Sequence, residues 1–244
     1  MLEKTLKELE EFLREDGRFS ESQIEALLRY SHLVLETNQH LNLTAITDSE
    51  GFYTKHILDS LSLLKFIDAM AKKAETKAIS FLDIGSGAGF PGIPLKIMRP
   101  ELKLVMLDSL NKRVKFLKEV IQDLNLDNTK AIHARAEDLA HQAEYRENFD
   151  LVSARAVAKL PVLVEYALPY LKKDGLFLAM KTSSDELKSS QKALNILGGK
   201  YLKTYNFNLP LDSGERSIIV IQKQNKSPKK YPRQAGIPNK QPLK

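Results

Sequence analysis

The sequence predicts an α/β protein with a mostly parallel, seven-stranded β-sheet and a helical extension at its N-terminus. Short apolar runs alternate with amphipathic segments from residue 78 onward, a glycine-rich turn follows the first run, and the last two runs are joined by a turn-like segment. Alternating strands and helices form right-handed crossovers, which place parallel strands in one sheet with helices on both faces. The last two runs predict an antiparallel hairpin at the sheet edge.

Three regions follow from the same patterns. Residues 1–66 are expected to form the helical extension, residues 67–224 the central domain, and residues 225–244 a basic, proline-rich tail. Apolar residues recur at helical spacing in two helices within residues 2–38 and in a third at residues 52–67. Such stripes usually pack against a larger domain, although a self-contained protein-binding module would show the same pattern.

The elements of the central domain can be placed in order. Strands are predicted at residues 78–83, 102–108, 129–134, 149–153, 176–180, 201–209 and 217–223. Helices are predicted from Gly92, at residues 112–124, from Glu137, and at residues 160–171 and 184–197. Ligands of open parallel sheets bind at the carboxyl ends of the strands, so the residues that follow each strand are the first candidates for a site.

The most informative stretch runs from Phe81 to Gly92 and predicts a strand, a tight turn and a helix. Gly85, Gly87 and Gly89 alternate with small residues after Asp83. Glycines at this spacing allow positive φ and a close approach of a ligand to the main chain. A helix that begins beyond the turn would add free N–H groups. A flexible turn without a ligand is the alternative.

Two classes of nucleotide cofactor bind at turns of this kind. Read from Gly87, the segment fits the dinucleotide pattern G-x-G-x-x-G, but Pro91 and Gly92 are poor interior residues for the helix that would open there. Read from Gly85, it resembles the first motif of S-adenosylmethionine-dependent methyltransferases, acid-x-G-x-G-x-G. The second register makes five residues candidates for binding the cofactor: Asp83, Gly85, Gly87, Gly89 and Phe90.

Two later turns add candidates. Asp108 ends the second predicted strand about 20 residues after the glycine turn, where a carboxylate can accept hydrogen bonds from both ribose hydroxyls. The third strand is followed by Ala136 and Glu137. In the methyltransferase fold this turn borders the adenine, so both residues are candidate cofactor ligands. A helix cap by Glu137 or Asp138 is the alternative.

Taken together, the motifs resemble those of the bacterial small-subunit ribosomal RNA guanine-N7 methyltransferases, historically called the glucose-inhibited division protein B family. The matching segments run from near the start of the chain to near its end: residues 41–46, 56–60, 83–92, 135–137, 153–156 and 231–238. The resemblance implies a Rossmann-like class I S-adenosylmethionine-dependent methyltransferase fold and S-adenosylmethionine as cofactor. It also implies that His56 and Asp59 line the cofactor or RNA cleft. The alternative is that they form a helix cap or a hydrogen bond in the core.

Composition bounds the function further. The chain has no cysteine, which excludes disulfides, thiolate metal sites and a cysteine nucleophile. No apolar run approaches the roughly 20 residues that span a bilayer, and the charged start of the chain does not resemble a secretory signal. We therefore expect a cytoplasmic protein that acts as a monomer, without a membrane or a metal.

The charge distribution indicates a nucleic-acid partner for the later part of the chain. Residues 1–50 carry 5 Lys and Arg against 11 Asp and Glu, whereas residues 225–244 carry 6 against none. A polyanion would meet the central domain and the tail. With 16S ribosomal RNA or the small ribosomal subunit as the implied partner, the RNA-binding candidates are Arg155, Lys181, Lys229, Lys230, Tyr231 and Arg233. The tail is expected either to be disordered, to order on RNA, or to fold back over the cleft.

The residues also narrow the methyl acceptor. Methylation of carbon five of a pyrimidine requires a thiolate that adds to the ring, and this chain has no cysteine. Methylation of an exocyclic amine usually relies on an Asn/Asp-Pro-Pro-aromatic motif after the fourth strand, where this chain has residues 153–156, SARA. Guanine N7 has a lone pair and loses no proton before attack, so no general base is required. Arg155 is predicted to orient the base or the cofactor; a surface ion pair is its alternative. Another RNA position, a small-molecule acceptor or a non-catalytic nucleotide-binding regulatory module remain alternative functions.

Overall fold

Seven strands form one mixed sheet in the computed structural model, which describes residues 2–76, 78–182 and 186–243. The strands are β1 (Ser80–Ile84), β2 (Lys103–Asp108), β3 (Thr129–His133), β4 (Phe149–Arg155), β5 (Leu171–Lys181), β6 (Gly199–Asn208) and β7 (Glu215–Lys223). Their order is β3-β2-β1-β4-β5-β7-β6. The first five strands are parallel, and β7 runs antiparallel to both β5 and β6. The predicted fold class is therefore confirmed.

Helices precede the sheet and connect its strands. The described helices are α1 (Leu2–Asp16), α2 (Glu21–Leu41), α3 (Ser49–Gly51), α4 (Asp59–Leu61), α5 (Leu64–Lys73), α6 (Gly92–Met98), α7 (Asn111–Asp123), α8 (Ala136–Leu139), α9 (Leu160–Ala167), α10 (Gln191–Leu197) and α11 (Ile237–Lys240). A π-helical segment, Phe52–Leu58, joins α3 to α4. At the start of α2, the Ser20 hydroxyl accepts from the Gln23 N–H while the Gln23 side chain accepts from the Ser20 N–H. This reciprocal cap fixes the predicted start of the helix.

Alternate residues of the strands supply apolar cores on the two faces of the sheet. In β1, Phe81 packs into the core that contains α1, α2, α6 and α7, whereas Leu82 packs into the core that contains α8, α9 and α10. The N-terminal helices therefore share a continuous core with one face of the sheet. Helix α5 runs through position 66, so the predicted boundary between extension and central domain falls inside a helix.

The helix predicted at residues 52–67 is instead divided into the π-helical segment, α4 and the first part of α5, and two other predicted helices also differ from the structure. The helix predicted at residues 160–171 ends at Ala167, continues as a 3₁₀ turn through Tyr170, and is followed by β5 from Leu171. Pro169 explains the early end, because its ring blocks the α-helical hydrogen bond and disfavours the helical conformation of the residue before it. Of the helix predicted at 184–197, positions 184 and 185 lie outside the described residues, and the α-helical part is α10. Within the described ranges, no helix is long and apolar enough to cross a membrane.

Candidate active site

The glycine turn leaves β1 after Ile84 and enters α6 at Gly92. Gly87 has φ +59°, and a Cβ atom there would meet nothing nearer than the Gly85 carbonyl oxygen at 4.0 Å. Gly89 has φ +111°, and a Cβ atom there would lie 2.7 Å from Ile93 and 3.0 Å from the Tyr30 hydroxyl. Gly89 is thus required by packing against the helices, whereas Gly87 keeps open space above the turn.

Asp83 supports this turn from beneath. Its Oδ1 accepts a hydrogen bond from the Ser153 hydroxyl at 3.0 Å, and its Oδ2 lies 3.4 Å from the Gly92 N–H at the start of α6. Burial raises the pKa of this carboxyl to about 7, although the hydrogen bonds oppose the shift. The side chain is 1% exposed. Its placement links β1, β4 and α6 and does not support the expected direct contact with the cofactor.

A first cleft of about 180 Å³ lies beside the turn, at the carboxyl ends of β1, β2 and β3. Four of the predicted cofactor residues line it: Gly85, Asp108, Ala136 and Glu137. Asp108 Oδ2 accepts from the Gly87 N–H at 3.0 Å, and its Oδ1 accepts from the Leu110 N–H at 2.8 Å. These two bonds fix the carboxylate between the glycine turn and the start of α7.

The polar groups of the first cleft suit a nucleoside. Asp108 and Glu137 present carboxylates, which accept hydrogen bonds from donors such as ribose hydroxyls and an exocyclic amine. Gly87 adds the open space that a side chain would fill. The groups present therefore fit the adenosine part of the expected cofactor, with room above the turn for its remaining part.

Sequence reasoning did not predict several residues that line the first cleft, among them Tyr166, Gly236 and Asn239. The Gly236 N–H donates to Glu137 Oε1 at 2.9 Å, so the tail reaches the cleft. The tail segment was among the matching motifs, but its charge directed attention to RNA. Only the folded chain brings positions 137 and 236 together.

Arg155 lies at the carboxyl end of β4 and is held by the π-helical segment and α4. Its Nη1 donates to the Lys55 carbonyl at 2.9 Å and to Asp59 Oδ2 at 3.1 Å. Its guanidinium carbon also lies 5.3 Å from the centroid of the buried Phe90 ring, a distance at which a cation and an aromatic face attract each other. Arg155 is therefore a positioned, half-buried group rather than a solvated surface ion pair.

His56 completes this arrangement as a neutral ring. Its Nδ1 lies 3.3 Å from Arg155 Nη2, which can only donate, so Nε2 carries the hydrogen that is donated to Thr44 Oγ1 at 2.7 Å. Burial lowers the pKa of His56 to about 3, and the charge of Arg155 adds to this effect. The ring also stacks on Phe90 with centroids 4.2 Å apart. His56 thus orients Arg155 and has no proton-accepting atom free for catalysis.

Asp59 has one oxygen without a hydrogen-bond partner among the described residues. Arg155 occupies Oδ2, whereas the Arg216 Nε lies 3.5 Å from Oδ1, an ion-pair distance that is too long for a well-formed hydrogen bond. Burial raises the pKa of Asp59, and the two arginines oppose the shift. His56 and Asp59 therefore both contact Arg155 and hold its guanidinium in place.

These groups line a second cleft of about 470 Å³, together with Lys181 and Ala156. Lys181 donates to Glu186 Oε2 at 2.8 Å and to the Ala158 carbonyl at 2.7 Å, so its charge is paired. The linings of the two clefts are adjacent along the chain at the end of β4: Arg155 and Ala156 line the second, and Val157 and Ala158 line the first.

The tail folds back onto α9 and does not extend from the body. Lys229 and Lys230 are exposed. Tyr231 is 8% exposed and belongs to the core below α9, so it cannot stack on a base without leaving that core. Arg233 pairs with the fully buried Glu165. The described part of the tail, residues 225–243, therefore packs on the body of the protein, and its placement does not support the expected RNA contacts of Tyr231 and Arg233.

The sequence also matches known proteins over most of its length. The family model for rRNA small subunit methyltransferase G matches residues 23–218. The chain is 46% identical over 241 residues to ribosomal RNA small subunit methyltransferase G of Halalkalibacterium halodurans, covering 98% of this chain and 99% of the relative. The corresponding protein of Geobacillus kaustophilus is 49% identical over 217 residues, covering 88% and 89%. That of Acetivibrio thermocellus is 48% identical over 224 residues, covering 91% and 90%.

Proposed function

The chain belongs to the rRNA small subunit methyltransferase G family, and from this membership we propose that it methylates guanine N7 in 16S ribosomal RNA, with S-adenosylmethionine as donor. The observation that carries the proposal is the junction at the end of β4, where residues 155–158 separate the first cleft from the second. A donor in one cleft and a base in the other would meet beside Arg155. Membership of this family argues against the small-molecule acceptor and the non-catalytic module.

The residues of the first cleft would hold the cofactor. Asp108 would accept from the ribose hydroxyls and Glu137 from the adenine side, while Gly87 leaves space for the methionine part. When bound, S-adenosylmethionine supplies a methyl group activated by a positively charged sulfur. The contribution of the chain is to bind this donor, align it and keep water away from the methyl group.

The second cleft would hold the guanine. N7 of guanine attacks through an in-plane lone pair, and therefore the protein must orient the base but need not remove a proton. Arg155, held by Asp59 and His56, is the donor placed to contact the base, and Arg216 adds positive charge nearby. The neutral, fully hydrogen-bonded His56 fits a mechanism without a general base.

Exposed and cleft-lining cations would contact the RNA backbone. Arg216 and Lys181 line the second cleft, and Lys229 and Lys230 are exposed on the tail. Neutralisation of phosphates by such groups makes binding depend on salt. We place the reaction in the cytoplasm, on 16S ribosomal RNA or the small ribosomal subunit, with the protein acting as a monomer.

Mass spectrometry of treated ribosomal RNA tests this function. Unmethylated 16S ribosomal RNA and small ribosomal subunits are each incubated with the protein and S-adenosylmethionine, then digested to nucleosides. The expected product is 7-methylguanosine, found with wild-type protein and lost with Arg155→Ala. A methyl group on another atom or base would overturn the N7 assignment, and the absence of methylation on both substrates would overturn the proposed function.

A further inference from the structure

The C-terminal tail forms part of the first cleft. Gly236 and Asn239 line it beside Asp108 and Glu137, although about 100 residues separate them from the latter. The Gly236 N–H donates to Glu137 Oε1 at 2.9 Å, and the residue has φ +84°, a conformation that favours glycine. The tail therefore orients a predicted cofactor ligand and brings a further polar side chain to the same cleft.

A buried ion pair fixes the tail in this position. Glu165 of α9 is fully buried, and its Oε1 accepts from the Arg233 N–H at 2.8 Å and from the Arg233 Nε at 2.9 Å. Its Oε2 accepts from Nη2 at 2.6 Å. Removing one partner of such a pair leaves an uncompensated buried charge, which is strongly unfavourable. Release of the tail is therefore costly, and residues 234–240 stay beside the cleft.

A second set of bonds holds the tail upstream of this pair. Arg146 donates to the Tyr231 carbonyl at 2.9 Å and to the Ser227 carbonyl at 3.0 Å. The Tyr231 side chain packs into the core, and His141 Nε2 lies 2.9 Å from the Pro232 carbonyl. Main-chain carbonyls of the tail thus find partners on the body of the protein, which is the pattern of a structural element rather than of a solvated arm.

We propose that residues 233–240 form the adenine-side wall of the cofactor cleft and that Asn239 is a specificity-determining residue for the adenine. This inference rests on the proposed function. The side-chain amide of asparagine both donates and accepts, which matches the amino group and ring nitrogens of adenine. The tail then serves cofactor binding through Gly236 and Asn239, and its exposed lysines are free to serve RNA.

Calorimetry with Asn239→Ala tests the proposal without measuring methyl transfer. The probes are S-adenosylhomocysteine and methylthioadenosine, which share the adenosine part but differ in the amino-acid part. Loss of a paired amide contact is expected to weaken both by about tenfold. The matched control is Lys240→Ala, at the next position of α11, which does not line the cleft and should bind both probes as wild type does. An Asn239→Ala protein with wild-type dissociation constants would overturn the proposal.

Hydrogen exchange provides a second, independent readout on the wild-type protein. The amides of residues 233–241 should exchange more slowly when S-adenosylhomocysteine is added, because the ligand would lie against this segment. Protection that appears only with ribosomal RNA would overturn the proposal. A wild-type protein that methylates RNA while Asn239→Ala binds both probes normally would refute this inference alone. A wild-type protein that binds neither probe would refute the proposed function as well.

Discussion

Arg155 and Asp59 form an ion pair across 96 positions of the chain, with Nη1 3.1 Å from Oδ2. The pair joins the carboxyl end of β4 to α4 in the N-terminal helical region, at the edge of the second cleft. Further hydrogen bonds to His56 Nδ1 and to the Lys55 carbonyl restrict the orientation of the guanidinium. The N-terminal helices therefore position a central residue of the site.

Replacement of Arg155 by alanine should reduce methyl transfer by at least about 10²-fold, because even a misplacement of about 1 Å can have that effect. An arginine at the edge of a cleft would be expected to contribute little to stability. Here, however, the buried Asp59 would lose its hydrogen-bond partner, so we expect the free energy of unfolding to fall by about 2 kcal/mol. Single-turnover kinetics and urea unfolding measure the two effects. Arg155→Lys, which keeps the charge but not the planar fork, should recover stability better than rate. A rate near that of wild type in Arg155→Ala would contradict the orienting role.

Replacement of Gly87 by valine should weaken binding of S-adenosylhomocysteine by more than about tenfold, because the side chain would fill the open space above the turn. The left-handed φ of +59° also adds strain on the order of 1–2 kcal/mol. Gly17→Val controls for that strain, since Gly17 has φ +72°, an equally open Cβ position and no part in either cleft. Calorimetry and thermal unfolding of both variants separate the effects. Equal binding by the two variants would show that Gly87 does not face the ligand.

The chemical step should not change with pH between about 5.5 and 7.5 at saturating RNA and S-adenosylmethionine, because no base has to be ionised. His56 cannot supply a titration there, since its pKa is lowered to about 3. The measurement is the single-turnover rate of methyl transfer to 16S ribosomal RNA as a function of pH, with RNA binding measured at each pH. A rise with one ionisation near 6.5 that persists in Asp83→Asn, which removes the carboxyl whose pKa is raised to about 7, would indicate a required base and would remove support for the N7 acceptor.

Asp83 should make the protein less stable as the pH rises. Its pKa in the folded state is raised from 3.8 to about 7, so between these values the folded state binds a proton that the unfolded state lacks. The free energy of unfolding should therefore fall by about 2 kcal/mol from about pH 5 to about pH 7 relative to Asp83→Asn. His56 acts in the opposite direction, but it is present in both proteins and cancels in this comparison. Urea unfolding with parallel pH profiles for the two proteins would contradict the assignment.

Replacement of both Lys229 and Lys230 by glutamine should weaken RNA binding and flatten its salt dependence by up to about 1.4 units of log K against log salt concentration. Removal of residues 225–244 would be a poorer test, because it also removes the buried Tyr231 and the partner of Glu165. A double change of Lys4 and Lys7 to glutamine, in the acidic N-terminal region, is the matched control. Filter binding at several salt concentrations provides the slopes, and an unchanged slope would exclude these lysines from the RNA surface.

Local patterns in the sequence determined the sheet, the glycine turn and much of the first cleft. The spacing of apolar residues along a short segment is enough to indicate a strand or a helix. The carboxyl ends of parallel strands lie at the same edge of the sheet, so residues that follow different strands are brought close together. Asp108, Ala136 and Glu137 could therefore be placed near Gly85 from their positions after predicted strands. The motif that contains Arg155 could be found for the same reason. The pairing of Arg155 with Asp59 could not be predicted, because no local pattern specifies which buried carboxylate contacts a given arginine.

Only the tertiary structure decided what each candidate contacts. Asp83 lies under the turn because its carboxylate completes hydrogen bonds from β4 and α6, and the tail folds back because Glu165 is buried and must be paired. The composition of the tail is that of a solvated arm. The tail nevertheless packs on the protein because Arg233 pairs with Glu165, which is 68 positions away in the chain. Such pairings depend on which faces pack together, whereas local sequence fixes only the conformation of each segment.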